Sequence, residues 1–201
     1  MPVELENVTE EEKQAIKDAL PEINEIKNKE LRQKVALAWA LALKETSHKR
    51  LEDIDTAGLK GFPMIEHLRG VARMAIGSAE GLKKISPDFS YNRDVLIAGA
   101  LCHDIGAPFQ YDPENLDKWK KDIGRMGMPA IRHPAYGVYV TMKAGFPLEV
   151  VHIVGAHSPE GDFLKRSIEC SIVYHEDCAW WELLYRARHN APSPWEKPEY
   201  T

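Results

Sequence analysis

Residues 95–108 read Val-Leu-Ile-Ala-Gly-Ala-Leu-Cys-His-Asp-Ile-Gly-Ala-Pro, and this stretch decides the fold. Asn92 or Asp94 can cap a helix whose apolar residues run through Val95, Leu96, Ala98 and Leu101. His103 and Asp104 fall in its last turn. Gly106 suits a left-handed C-terminal cap, and Pro108 prevents continuation. The helix therefore ends on two adjacent ionisable side chains.

Helical patterning continues outward in both directions. Thr9 followed by Glu12 predicts a capping box and a first helix that Pro21 interrupts or ends. Leu31–Lys44 is rich in Ala and Leu and predicts a strong helix. Asp55, Gly58, Gly61 and Pro63 mark 51–63 as a loop. Ile65, Leu68, Ala72, Ala75, Ile76, Ala79 and Leu82 then recur at three- and four-residue steps, one face of a helix.

Downstream, 107–132 is rich in Gly, Pro and charge and reads as a long loop, the length at which lids occur. Its Gly124, Gly127 and Pro129 predict a mobile segment that gates a site. His133-Pro134 predicts a helix start, with His133 at the cap and Pro134 at the first helical position. Another helix runs from near Pro147 to near His157, where Ser158, Pro159 and Gly161 break it. A last long helix spans roughly 163–189, and the tail with Pro192, Pro194 and Pro198 reads as extended. No segment alternates convincingly as a strand. The expectation is an all-α, single-domain helical bundle: an N-terminal helical extension over 1–60, a core over 61–190 and a tail over 191–201.

At 201 residues with 44% hydrophobic content, the chain can bury a real core. No apolar run approaches the roughly 20 residues a membrane span needs. Residues 1–20 are acidic and lack a basic segment followed by an apolar one, so no signal peptide is expected and the default location is cytoplasmic. A net charge of -5 argues against a polyanion partner. Lys118, Lys120 and Lys121 read as solvated surface. Cys102, Cys170 and Cys178 form no Cys-x-x-Cys pair, and the last two lie about 12 Å apart along one helix, too far to bridge. All three read as small, mostly buried hydrophobes. Trp180 and Trp181 are assigned to core packing.

A lone histidine says little; eight do more through their positions. His67 falls in the first turn of its helix, His133 at a helix start and His157 at a helix end. Ends of antiparallel neighbours share a layer, so several can converge. Asp177 lies in an apolar stripe between Val173 and Trp181. A carboxylate there costs several kcal/mol unless it is paired or coordinates a cation. A buried salt bridge is the plainer reading; a metal is the other. Imidazole and carboxylate together suit borderline divalent cations, and a helix C-terminus favours positive charge. A cation with an open position lets water ionise near neutral pH and attack an electrophile. No Gly-x-Ser-x-Gly elbow and no phosphate loop followed by Lys-Ser or Lys-Thr occurs.

His67, then His103-Asp104, then Asp177 resembles the ordered motif of the HD-domain superfamily, and His103-Asp104-Ile105-Gly106 is the form seen in many of its members. The resemblance spans 66–188. It implies an all-helical fold with His67, His103, Asp104 and Asp177 as metal ligands. Many members hydrolyse phosphate esters or nucleotides, some are hydratases, and some are di-iron oxygenases. Members with two metals use further histidines between the pair and the last Asp, which places His133 and His157 in a second site. His152 and His175 are weaker candidates, while His48 and His189 read as surface residues. Asp104 is implied as the catalytic residue, bridging two metals and orienting the nucleophile.

The sequence departs from that pattern twice. Many phosphate-cleaving relatives follow this Gly with Lys, whereas Ala107 and Pro108 follow Gly106. Arg69, Arg73, Lys83 or Arg132 would have to supply a substrate-binding cation instead, with Arg69 and Arg132 the candidate substrate contacts. His157 is followed by Ser158, not by a second His. The resulting expectation is a metal-dependent hydrolase of a small-molecule substrate, a phosphate ester or nucleotide among the candidates. A di-iron oxygenase is the alternative, then a hydratase or a non-catalytic binding module. One or two ions of Fe, Mn, Zn, Co, Ni or Mg are implied. Nucleic acid and membrane are not expected as partners, and a homo-oligomer is allowed.

Overall fold

Thr9 opens α1 (Glu10–Ala19): its hydroxyl accepts from the Glu12 N–H, and the Glu12 carboxylate accepts from the Thr9 N–H. The capping box is thus present in this computed structural model, which describes residues 4–194. Pro21 cannot continue α1 and begins a 3-10 turn, Pro21–Glu25. Asn28 caps α2 (Lys29–Lys44), which sinks Val35, Ala36, Trp39 and Leu41 into the core. The Trp39 indole N–H donates to the Leu101 carbonyl at 2.8 Å, so the residue buries its ring with its polar atom satisfied.

Residues 51–63 form the expected loop, built of short 3-10 turns. Among the described residues its single Asp55–Pro63 bridge is the extent of β pairing. α3 (Met64–Ile85) buries Leu68, Ala72, Ala75, Ile76 and Ala79, and the stripe surfaces at Leu82. Asn92, rather than Asp94, caps α4 (Arg93–Cys102) by accepting from the Val95 N–H. Asp94 instead accepts from the Lys27 and Asn28 N–H groups, fastening the start of α2.

Several sequence expectations are corrected beyond α4. Gly106 is not left-handed: its φ of -88° lies in the ordinary helical region. Glycine is needed there for closeness, because a Cβ would sit 2.0 Å from the His133 carbonyl oxygen. Nor is 107–132 a plain loop. It folds into α5 (Ala107–Gln110), α6 (Pro113–Lys121) and α7 (Ile123–Met126). Asp112 caps α6 by accepting from the Glu114 and Asn115 N–H groups, Pro113 follows at the first turn, and Trp119 is buried beside Phe109. Lys118, Lys120 and Lys121 are solvated, as expected.

α8 (His133–Lys143) starts one residue early, with Arg132 at the cap and His133 as the first helical residue. α9 (Leu148–Ala156) follows Pro147 and ends on His157. The last helix, α10 (Ile168–His189), begins later than expected. Pro159–Phe163 is a separate 3-10 turn, and Ser167 caps α10 by accepting from the Cys170 N–H. Pro198 lies outside the described residues; Pro192 and Pro194 flank a buried Ser193.

α4 is the central helix, packed against α2, α3, α9 and α10, while α8 lies on α9 and α5. One hydrophobic core runs continuously from Val8 to Trp181. It contains Cys102 and Cys170, but Cys178 is exposed, a correction to its reading as a buried hydrophobe. Trp180 and Trp181 are buried around Phe62, with ring centroids at 6.0 and 5.4 Å. Burying each such ring is worth about 1.5–3 kcal/mol. Among the described residues no helix is long and apolar enough to cross a membrane.

Candidate metal centre

The ends of α4, α8 and α9 meet side chains from the first turns of α3 and the middle of α10. His67 points inward from α3, and His103 caps the end of α4 with Asp104 in the turn beyond it. Asp177 reaches in from α10. His67 and His103 are fully buried and face one another, Nε2 to Nε2, at 3.0 Å. Asp177 Oδ1 lies 3.3 Å from His67 Nε2 and 3.9 Å from His103 Nε2.

Asp104 faces two ways. Its Oδ2 lies 3.4 Å from His67 Nε2 and 3.8 Å from His103 Nε2. Its Oδ1 lies 3.3 Å from His133 Nε2 and 3.6 Å from His157 Nε2. His133 and His157 approach each other, Nε2 to Nε2, at 3.3 Å. Donor atoms of His67, His103 and Asp177 form one compact cluster, and those of His103, Asp104 and His157 another. All six residues named from the sequence therefore converge.

The hydrogen bonds behind these rings show what the centre wants. His103 Nδ1–H donates to the Ala100 carbonyl at 2.7 Å, and His157 Nδ1–H to the Val154 carbonyl at 3.0 Å. His133 Nδ1–H donates to Gln110 Oε1 at 3.1 Å. The same oxygen accepts the His133 backbone N–H at 2.6 Å, which fixes it as the acceptor end of the amide. In the neutral rings each Nε2 is then a lone pair aimed inward. The His133 and His157 lone pairs face each other and Asp104 Oδ1, and they repel unless something positive stands among them. Asp177 Oδ1 is buried with no hydrogen-bond partner, an expensive position for a carboxylate oxygen. The donor set fits a divalent cation.

The ionisation behaviour agrees. Burial pushes His103 down to about 4 and His133 down to about 3, so both imidazoles are neutral at pH 7. Burial raises Asp177 to about 6, with the neighbouring Asp104 charge adding to the effect. Burial opposes ionisation of Asp104 too, but His103 and His133 outweigh it and hold that carboxyl well below its ordinary value. At His157 burial acts downward, yet the Asp104 contact wins and raises the imidazole. The negative potential of the centre thus stabilises a positive charge at this spot.

Packing fixes the ligand rings. Trp180 stands edge-on to His67 with centroids 4.5 Å apart. Gly70, one turn beyond His67, makes room for it: a Cβ there would sit 2.3 Å from the Trp180 indole nitrogen.

The centre floors a cavity of about 500 Å³ whose lining includes Asp104, Tyr111, Arg132, His133, His157 and Trp181. Arg132 Nε donates to Glu160 at 2.7 Å, and the Ser158 hydroxyl donates to the other oxygen of Glu160 at 2.6 Å. Burial works to raise Glu160, but Arg132 and Ser158 outweigh it and hold its carboxyl down to about 2.

The other sequence candidates lie elsewhere. Arg69 and Arg73 pair with buried Glu22 and do not line the cavity. Lys83 donates to the Pro87 and Phe89 carbonyls beyond α3. His152 accepts the Ser167 N–H, a structural role at the start of α10. His175 lines the cavity from its exposed side. His48 is half-buried beside a separate cavity of about 540 Å³. His189 is exposed and packs on Phe62 and Tyr185. Sequence reasoning missed Gln110, Tyr111, Ser158 and Glu160. Gln110 carries no local signal, since its partner is 23 residues away.

Fold and centre together define an all-helical domain built around a His–Asp cluster of the kind that holds a divalent cation. The chain belongs to the HD domain family, whose sequence model matches residues 64–178, more than half of its length. It is similar to a dihydroneopterin 2′,3′-cyclic phosphate phosphodiesterase of Methanocaldococcus jannaschii, with 33% identity over 115 residues. That alignment covers 57% of this chain and 44% of the relative, so the chain spans less than half of the relative's length. No solved structure matches.

Proposed function

We propose that the chain hydrolyses a small phosphate ester, with a divalent cation held by His67, His103, Asp104 and Asp177 and a second by Asp104, His133 and His157. The carrying observation is the Asp104 carboxylate, one oxygen turned to each pair of histidines at the floor of a substrate-sized cavity. When bound, divalent cations supply Lewis acidity and lower the pKa of water enough for attack at neutral pH. The chain's own residues do the rest. Ala100, Val154 and Gln110 fix three imidazole tautomers. Arg132, a cavity-lining residue held through Nε by Glu160, has its terminal guanidinium nitrogens to offer a phosphoryl oxygen. The relative's name describes a cyclic phosphate diester as its substrate, a bond of the same phosphate-ester class.

The test is direct. Protein purified without added metal is analysed for its elements, then assayed with p-nitrophenyl phosphate and bis(p-nitrophenyl) phosphate in parallel with a dioxygen electrode. The proposal expects nitrophenol release that a chelator abolishes, and no dioxygen uptake. Substrate-dependent uptake of dioxygen by an iron-loaded protein would replace it with the oxygenase reading.

A further inference from the structure

The charge around the cavity limits how many phosphoryl groups a substrate can bring. Among the described residues that line it, Arg132 is the one arginine or lysine. Arg132 already spends its Nε on Glu160. The other charged lining residues outside the metal cluster are acidic, Asp162 and Glu182. The arginines near them are committed. Arg166 donates to the Ala156 and Ser158 carbonyls and to Asp162. Arg186 lies 3.5 Å from Glu182. After Gly106, Ala107 and Pro108 are buried, so that turn presents no cation either. The remaining walls include the aromatic residues Tyr111, Trp181 and Tyr174, the last with the Arg166 guanidinium 4.0 Å over its ring.

We infer that the cavity takes a substrate with a single phosphoryl group on a flat, uncharged organic remainder, and discriminates against nucleoside di- and triphosphates. The inference rests on the phosphohydrolase reading above and deepens it. One phosphoryl group finds the cluster on one side and the terminal nitrogens of Arg132 on the other, in the fork geometry that suits phosphate oxygens. Each further phosphoryl group adds negative charge to a cavity where Arg132 is the one lining arginine or lysine and the charges of Arg166 and Arg186 are already matched by Asp162 and Glu182. Like-charge juxtaposition of this kind is how sites reject near relatives of their ligands. The aromatic walls suit a planar ring and give little to a flexible charged chain.

Adenosine 5′-monophosphate, diphosphate and triphosphate hold the ring constant while the phosphoryl count changes. Calorimetric titration of the metal-loaded protein, with free metal buffered against chelation by the ligands, should give at least a tenfold tighter Kd for the monophosphate than for the triphosphate. Equal or tighter triphosphate binding, or no binding by any of the three, overturns the inference. Arg132→Ala should weaken monophosphate binding about tenfold while metal content and helicity stay unchanged, and Arg132→Lys should recover part of the loss. An unchanged monophosphate affinity in Arg132→Ala also overturns it. Monophosphate preference without any hydrolysis would sustain this inference and sink the hydrolase reading; turnover of triphosphate at the monophosphate rate would do the reverse.

Discussion

His67 and His103 stand Nε2 to Nε2 at 3.0 Å in a fully buried space, and His103 has already spent its other ring nitrogen on the Ala100 carbonyl. Without a cation this arrangement is held together by little more than one imidazole hydrogen bond. A cation bound only by the folded chain stabilises it by mass action, about 3–4 kcal/mol at a hundred to a thousand times Kd. Removing metal with a chelator should therefore lower Tm by roughly 6–16 °C for a chain of this size. A Tm indifferent to chelator, with metal shown by elemental analysis to have left, would contradict the account.

Asp177→Ala should abolish tight metal binding and activity while keeping most helix content. Asp177 Oδ1 is buried without a hydrogen-bond partner, so its removal takes away an electrostatic cost of the metal-free state. The metal-free variant should be at least as stable as the metal-free parent by chemical denaturation. Loss of the fold with metal binding intact would mean a structural salt bridge instead.

Gln110→Leu should free the His133 ring, because the Gln110 oxygen holds both His133 Nδ1–H and the His133 backbone N–H. Nitrogen NMR of the metal-free variant should show His133 losing its single tautomer. Metal affinity at the His133 side should fall about 10–100-fold, the usual effect of losing such an orienting partner. An unchanged His133 tautomer would remove Gln110 from the account.

Gly106→Ala should destabilise the protein by about 1–3 kcal/mol or more, since the new Cβ would have to displace the His133 carbonyl, a backbone group that cannot swing aside. Urea unfolding measures this directly. A loss under 0.5 kcal/mol, the size of an ordinary surface change, would show that α5 and α8 are free to separate.

Fold and cluster were legible to different depths in the sequence. The apolar spacing of α3 and α4 shows those helices, the Ala and Leu content shows α2, the breakers around it bound α9, and the capping box at Thr9 marks α1. Asp177 stood out because a carboxylate in an apolar stripe demands an explanation. Within 107–132 the glycines, prolines and charges mask Asp112-Pro113, a cap followed by a first-turn proline, which is the one local mark of α6. Ser167 is a similar cap at the start of α10. Gly106 shows a deeper limit. Its reason is an approach by His133 from 27 residues away, and no local pattern encodes that closeness. The same holds for Gln110.

The central claim is that His67, His103, Asp104 and Asp177 hold a cation, with His133 and His157 holding a second across Asp104. An anomalous-difference map from crystals grown with manganese tests it most directly. The account predicts one peak among His67, His103 and Asp177 and another beside His133 and His157, with Asp104 between the two. A single peak among the first three would leave a mononuclear centre and turn His133 and His157 into substrate contacts. No peak at His67, His103 and Asp177 would contradict the account.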